Sequence, residues 1–365
     1  MSEQLPLVMV GTMKGLFLFT GPDRDHLTAS GPHLAGRAVY AAVHDGRDGR
    51  NRIIAAASSM HWGASIVTSD DLGKTWDEPD VPVLQFPEDT GAALANIWQL
   101  ELGHPSEPDV VWAGVEPAAL FRSSDAGRSF ELVRGLWDHP HRAQWQPGGG
   151  GLCLHTVLPH PEDPARMAIA VSAAGFYLTD DAGESWRASN SGIKAPFLPD
   201  PDAEFGQCVH KVARDPKNPE RLYLQHHWGL YRSDDGGASW QDIGNGVPSD
   251  FGFPMVTHPR QTGTAYCIPL ESDMVRLTPD AQIRVYRTTD AGGQWSALGS
   301  GLPTTDAHAT ILRDGFAADS LDPAGLWFGT RGGQLYGSSD EGATWREVAP
   351  LLPPVTCVKT AVLAS

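Results

Sequence analysis

Two cysteine–histidine pairs recur in this sequence: Cys153 and His155 in GLCLHT, and Cys208 and His210 in GQCVHK, related by a shift of 55 residues. Residues two apart in an extended strand share a face, so each Cys lies behind its His. If the two segments are neighbouring strands, the imidazoles of His155 and His210 come together. The turn His226-His227-Trp228-Gly229, echoed by Met60-His61-Trp62-Gly63, would bring in His227 as a third ligand. Imidazoles on adjacent strands suit a divalent transition metal such as Zn, Mn, Fe or Cu, which would polarise a substrate or a water. The competing reading is that these histidines hydrogen-bond to backbone and hold no ion.

A second constellation occupies the glycine-rich stretch GLWDHPHRAQWQPGGGG, Gly135 to Gly151. Trp137 and Trp145 could stack on sugar faces, Arg142 could read hydroxyls or carboxylates, and Asp138 and His139 could move protons. The alternative is a solvated loop with incidental aromatics. Further carboxylates sit in short turns: Glu116 in GVEPAAL, and Glu271 with Asp273 in PLESDMV. Two carboxylates at the right separation are the acid and the base or nucleophile of glycoside cleavage. Lys211 and Arg331 would orient an anionic substrate, or neutralise acids beside them.

The elements that must position these groups are repeats. SDDLGKTW at Ser69 to Trp76 returns as SSDAGRSF, TDDAGESW, SDDGGASW, TTDAGGQW and SSDEGATW, with starts 54, 56, 54, 55 and 50 residues apart. A worn seventh copy begins at Thr20. In each box the Asp can accept backbone N–H groups in a tight turn, the Gly allows a positive φ, and the Trp packs back on the sheet. An alternating strand precedes each box (GLFLFT, ASIVTS, GFYLTD), with two more upstream and one after. Each period therefore reads as a four-stranded antiparallel blade. Seven such sheets bury their faces by radial closure. The N-terminus supplies only later strands of a blade, and PVTCVKTAV at the C-terminus reads as its missing first strand. The expectation is an all-β chain whose residues 1–365 form a single seven-bladed β-propeller domain, its ring closed by both termini in one blade.

These boxes resemble the Asp-box, or bacterial neuraminidase (BNR), repeat of sialidase-like and glycosyl-hydrolase-like propellers, and the resemblance covers essentially the whole chain. It implies boxes at the turn between third and fourth strands, with working residues at the opposite face. The same repeat occurs in sialidases, xyloglucanases, sorting receptors and assembly factors, so it does not settle activity. A sialidase needs an arginine triad and a Tyr nucleophile. Here Tyr177, Tyr231, Tyr286 and Tyr336 fall two residues before boxes, and Tyr223 and Tyr266 share a repeated strand position, all consistent with core. Only Tyr40 remains, and the Phe-Arg-Ile-Pro motif is missing, which argues against a true sialidase.

With 27 Lys and Arg against 44 Asp and Glu, the net charge of −17 disfavours nucleic acid and anionic membranes as partners. No apolar run approaches a membrane span, no secretory signal is read at the N-terminus, and four cysteines are too few for a disulfide scaffold. These features suggest a cytoplasmic protein. The sequence points to a hydrolase or lyase acting on a carbohydrate or other polar small molecule, with metal assistance through His155, His210 and His227 if they converge. A non-catalytic interaction or assembly-factor propeller is the alternative, and a glycan-binding module a third.

Overall fold

The computed structural model describes residues 4–364. The fold is all-β, a seven-bladed propeller of four-stranded antiparallel blades. One short α-helix, Arg134–Trp137, and four 3-10 turns are the helical elements among the described residues. The sheets follow the chain in order. The first contains Val355–Ala364, Gln4–Thr12, Gly15–Thr20 and Thr28–His33, so strands from both ends share one blade as the sequence implied. Its closing pair is antiparallel, with Val8 opposite Thr360 and Val10 opposite Val358. The second sheet has three full strands, Ala38–Asp45, Arg52–Ser59 and Gly63–Ser69, and a bridge from Thr68 to Asp77 in place of the fourth. Sheets three to seven have four strands each.

By contact density the chain divides into two compact units. One comprises Met1–Val39, His210–Arg232 and Gln241–Ser365. Its cores gather Val8, Val10, Phe19, Trp327 and Val358, and separately Tyr266, Ile268, Phe316, Phe328 and Trp345. The other comprises Tyr40–Val209 and Ser233–Trp240. Its cores gather Ile54, Ile66, Ile97, Val115 and Phe121, and separately Leu154, Ile169, Val171, Tyr177 and Trp186. Alternating strands explain these lists: every second side chain of a strand enters the space between sheets. The six tyrosines read as core are buried. The four cysteines are free thiols.

The repeated turn does what its residues dictate, and it joins third to fourth strands. In the third sheet Ser123 Oγ donates to Asp125 Oδ1 at 2.7 Å and accepts the Gly127 N–H at 2.9 Å. Asp125 then accepts Ser129 N–H at 2.9 Å and Ser129 Oγ–H at 2.6 Å. Hydrogen bonds to the ionised carboxylate favour it, and Asp71 and Asp181, bound in the same way to Thr75 and Ser185, are lowered to about 2. The turn needs two left-handed residues, not one: Ala126 (φ 59°) precedes Gly127 (φ 88°), and Leu72, Ala182, Ala291 and Glu341 repeat it.

A second repeat escaped the sequence reading. NSGI, GNGV and GSGL follow the fourth strands, and their glycines lie against the box Trp one period later. A Cβ on Gly192 would sit 2.0 Å from the Trp240 carbonyl oxygen, and one on Gly301 2.1 Å from that of Trp345. The adjoining carbonyls of Ser191 and Ser300 accept the Trp240 and Trp345 N–H groups, each at 2.8 Å. The Trp backbone is thus held at both its N–H and its C=O, which fixes each of these boxes against its neighbour.

Candidate functional site

Sheet six carries the feature that matters most. Its second strand ends at Pro269 and its third begins at Val285. The corresponding turn in sheet four spans only 172–174. The long connection folds back on the segment leading to sheet seven. Thr278 N–H donates to Ala309 O at 3.0 Å, Ala307 N–H to Ala281 O at 2.9 Å, and Ala309 N–H to Thr278 Oγ1 at 3.3 Å. This zipper shapes a cavity of about 470 Å³ lined by Glu271, Asp280, His308, Ser249, Thr278 and Pro279, among others. All of these residues belong to one compact unit. Glu271 is exposed and makes no ion pair among the described residues, while Asp280 Oδ2 is 3.5 Å from Arg284 Nη1. Two carboxylates and an imidazole on the walls of one polar, sugar-sized cavity can bind hydroxyls and exchange protons with them.

His210 and His227 lie in the same compact unit as this cavity. His210 is buried, on the strand Val209–Arg214, and its Nδ1 is 2.6 Å from the Gly252 carbonyl oxygen. Its ring is 4.8 Å from Phe253 and 5.4 Å from His227. His227 Nε2 is 3.3 Å from Asp273 Oδ2. Burial pushes the His210 imidazole well below its ordinary value, and burial lowers His227 too, against the opposing pull of Asp273. Both rings are therefore neutral near pH 7. Cys208 stands two residues before His210 in the sequence.

The expected third histidine is a correction. His155 is fully buried, with Nε2 2.9 Å from the Val209 carbonyl oxygen and Nδ1 3.0 Å from Thr156 Oγ1. Both ring nitrogens are engaged in the protein, so it does not join His210 and His227.

The Gly135–Gly151 stretch is a second correction. Trp145 is 5% exposed, donates Nε1–H to Tyr177 Oη at 2.9 Å, and belongs to a core cluster. Trp137 packs against Phe86 at 5.0 Å, and the Arg142 guanidinium covers its ring at 3.3 Å. Neither ring offers a bare face to a sugar, and Arg142 is committed to Trp137. His139 Nδ1 accepts the His141 N–H at 3.1 Å and Nε2 faces Trp186 O at 3.1 Å, so it braces the loop instead of moving protons. Asp138 is exposed at the end of the short helix. A Cβ on Gly135 would meet the carbonyls of Gly183 and Glu184, so this part of the loop lies against a box turn, not at the opposite face.

Of the other expected residues, Glu116 accepts Trp98 Nε1–H at 2.9 Å, which holds the carboxylate at the turn between second and third strands. Lys211 Nζ is 2.8 Å from Asp314 Oδ1, and Lys359 Nζ is 2.7 Å from the same oxygen. Lys211 is thus held by a buried carboxylate, which corrects its reading as a substrate-orienting cation. Burial would raise the Asp314 carboxyl, but the two ammonium groups outweigh it and hold it well below the usual range. Arg331 lies on the turn before Leu335–Ser338, where its N–H donates to Thr310 O at 2.8 Å. Sequence reasoning missed Asp280 and His308. The signal that could have found Asp280 was the length of the 270–284 connection, and His308 lies in the segment that it folds back on. Away from the cavity, Trp62 is 89% exposed beside the fully exposed Met60.

No family model matches the chain. It is 25% identical over 266 residues to an oligoxyloglucan-reducing end-specific xyloglucanase of Emericella nidulans, covering 66% of this chain and 30% of that protein. It is 24% identical over 276 residues to a xyloglucanase of a Paenibacillus species, covering 67% of this chain and 25% of the relative. The chain therefore spans less than a third of the length of these relatives. Among solved structures, an ancestral GH74 enzyme superposes with a TM-score of 0.54 at 15% identity, over 88% of this chain and 38% of that one. YCF48 from Cyanidioschyzon merolae superposes with a TM-score of 0.53 at 15% identity, over 87% of each chain. In sequence the chain is similar to xyloglucanases, and in fold to a GH74 enzyme and to YCF48 alike.

Proposed function

We propose that this chain is a glycoside hydrolase acting on a glycan of the xyloglucan kind, built on Asp-box blades, with its chemistry in the sheet-six cavity. The observation that carries the reading is the pairing of Glu271 and Asp280 on the walls of one cavity. In this mechanism Glu271 protonates the glycosidic oxygen as the bond from the anomeric carbon breaks. Asp280, with Arg284 beside it, supports the positive charge on the sugar and takes a proton from the attacking water. His308 and the hydroxyls of Ser249 and Thr278 are placed to bind sugar hydroxyls. The similarity to xyloglucanases supports the substrate class. A crystal of the Glu271→Gln variant soaked with a xyloglucan oligosaccharide tests it. Sugar rings between residues 271 and 280 are expected, and sugars bound only elsewhere would refute the assignment.

A second reading, a peptide- or protein-binding propeller, is favoured by the exposed Met60 and Trp62 and by the likeness to YCF48, of which one structure holds a D1 peptide. It predicts no turnover of any glycan.

A further inference from the structure

The zipper that shapes the sheet-six cavity turns on one side chain. Thr278 is 2% exposed, and its hydroxyl makes two bonds: Oγ1–H donates to the Ala307 carbonyl oxygen, and Oγ1 accepts the Ala309 N–H at 3.3 Å. Its own N–H donates to Ala309 O at 3.0 Å. The two peptide groups that flank His308 are therefore both bonded to one hydroxyl. Ala307 and Ala309 are buried in the core cluster that holds Phe316 and Trp345, whereas His308 between them is exposed on the cavity wall. An extended run alternates in this way, every second side chain turning inward. Asp280 stands two residues beyond Thr278, and the carbonyl of its neighbour Ala281 accepts the Ala307 N–H at 2.9 Å. All of these residues belong to one compact unit.

We infer that Thr278 is a positioning residue: it fixes His308 on the cavity wall that carries Asp280, so that the imidazole meets a hydroxyl of the bound sugar. This rests on the glycan reading of the cavity. Turning either flanking peptide would swing the imidazole away, and the Thr278 hydroxyl ties both of them. Thr278→Val keeps the branched shape of the side chain but strips out both bonds, which leaves the Ala307 carbonyl and the Ala309 N–H without that partner in a buried setting. Thr278→Ser keeps the hydroxyl. His308 would hold the sugar in the ground state and the transition state alike. Its displacement therefore removes uniform binding, which appears in KM and spares kcat.

The test is steady-state hydrolysis of a xyloglucan oligosaccharide by the full-length wild type, Thr278→Val, Thr278→Ser, His308→Ala and the double variant Thr278→Val/His308→Ala. Thr278→Val should raise KM about 3–10-fold, the worth of one neutral hydrogen bond, with kcat within about 2-fold of wild type. Thr278→Ser should recover most of that rise. His308→Ala should raise KM by a similar factor, and the double variant should be no worse than His308→Ala, because Thr278 acts through that ring. A KM equal to wild type in Thr278→Val would overturn the inference. So would a fall in kcat with KM unchanged, which is what partial unfolding gives. Effects that multiply in the double variant would overturn it too, since the hydroxyl would then act on the sugar by itself. In each of these cases wild-type hydrolysis leaves the glycan reading standing. No hydrolysis of any xyloglucan fragment by wild type overturns that reading and this inference with it.

Discussion

Asp314→Asn removes the carboxylate that two lysines share and leaves both cations in place. Lys211 and Lys359 each approach Asp314 Oδ1, at 2.8 and 2.7 Å, so their nitrogens are no more than about 5.5 Å apart. At an effective dielectric near 20, two positive charges at that separation repel by about 3 kcal/mol. The Lys211 and Lys359 side chains are 13% and 23% exposed, so water screens them only in part. Removing one partner of a buried ion group costs about 3–5 kcal/mol. Unfolding entropy near 2.1 cal/mol/K per residue over 365 residues converts that to a Tm fall of about 4–6 °C. Thermal melts followed by circular dichroism read it. The folded Asp314 carboxyl lies below its ordinary 3.8, so its contribution is complete above that pH. The gap between wild type and variant should be constant from neutral pH to about pH 5 and narrow as pH falls further. Adding Lys211→Met to Asp314→Asn should recover part of the loss. A Tm shift under about 1 °C, or a double variant no better than the single one, would refute the reasoning.

Trp145→Ala should cost about 3–5 kcal/mol in urea unfolding, as expected of a buried core aromatic, and leave the glycan affinity of the folded fraction unchanged. Trp62→Ala should leave stability within about 0.5 kcal/mol of wild type, since that side chain is 89% exposed. Gly192→Ala places a methyl group 2.0 Å from the Trp240 carbonyl at a φ of 94°, so a loss of at least about 2 kcal/mol is expected in the same unfolding assay.

The architecture was legible because the box repeats announce themselves: a Ser or Thr hydroxyl, an Asp and a Gly at fixed offsets have one turn to make. Side-chain partners were less legible. His155 and His210 occupy equivalent strand positions, and both bond to a carbonyl of the next blade, at Val209 and Gly252. His155 also has Thr156 Oγ1 at its other ring nitrogen, 3.0 Å away. Trp137 and Trp145 read as a sugar platform because a loop has no period to reveal which aromatics turn inward. Tyr177 and Arg142, the groups that occupy them, are known only from the fold. Asp280 lay in LTPDAQ, indistinguishable from an ordinary turn until the 270–284 connection was seen to fold over a cavity.

The most direct test of the proposed activity is the rate of reducing-end release from a xyloglucan oligosaccharide by wild type and by Glu271→Gln, with melting temperatures recorded for both. Glu271 is exposed, so the variant should melt with wild type. Loss of the proton donor should lower kcat by about 10²–10⁴-fold. Equal rates in the two proteins, or no release by wild type from any xyloglucan fragment, would contradict the account.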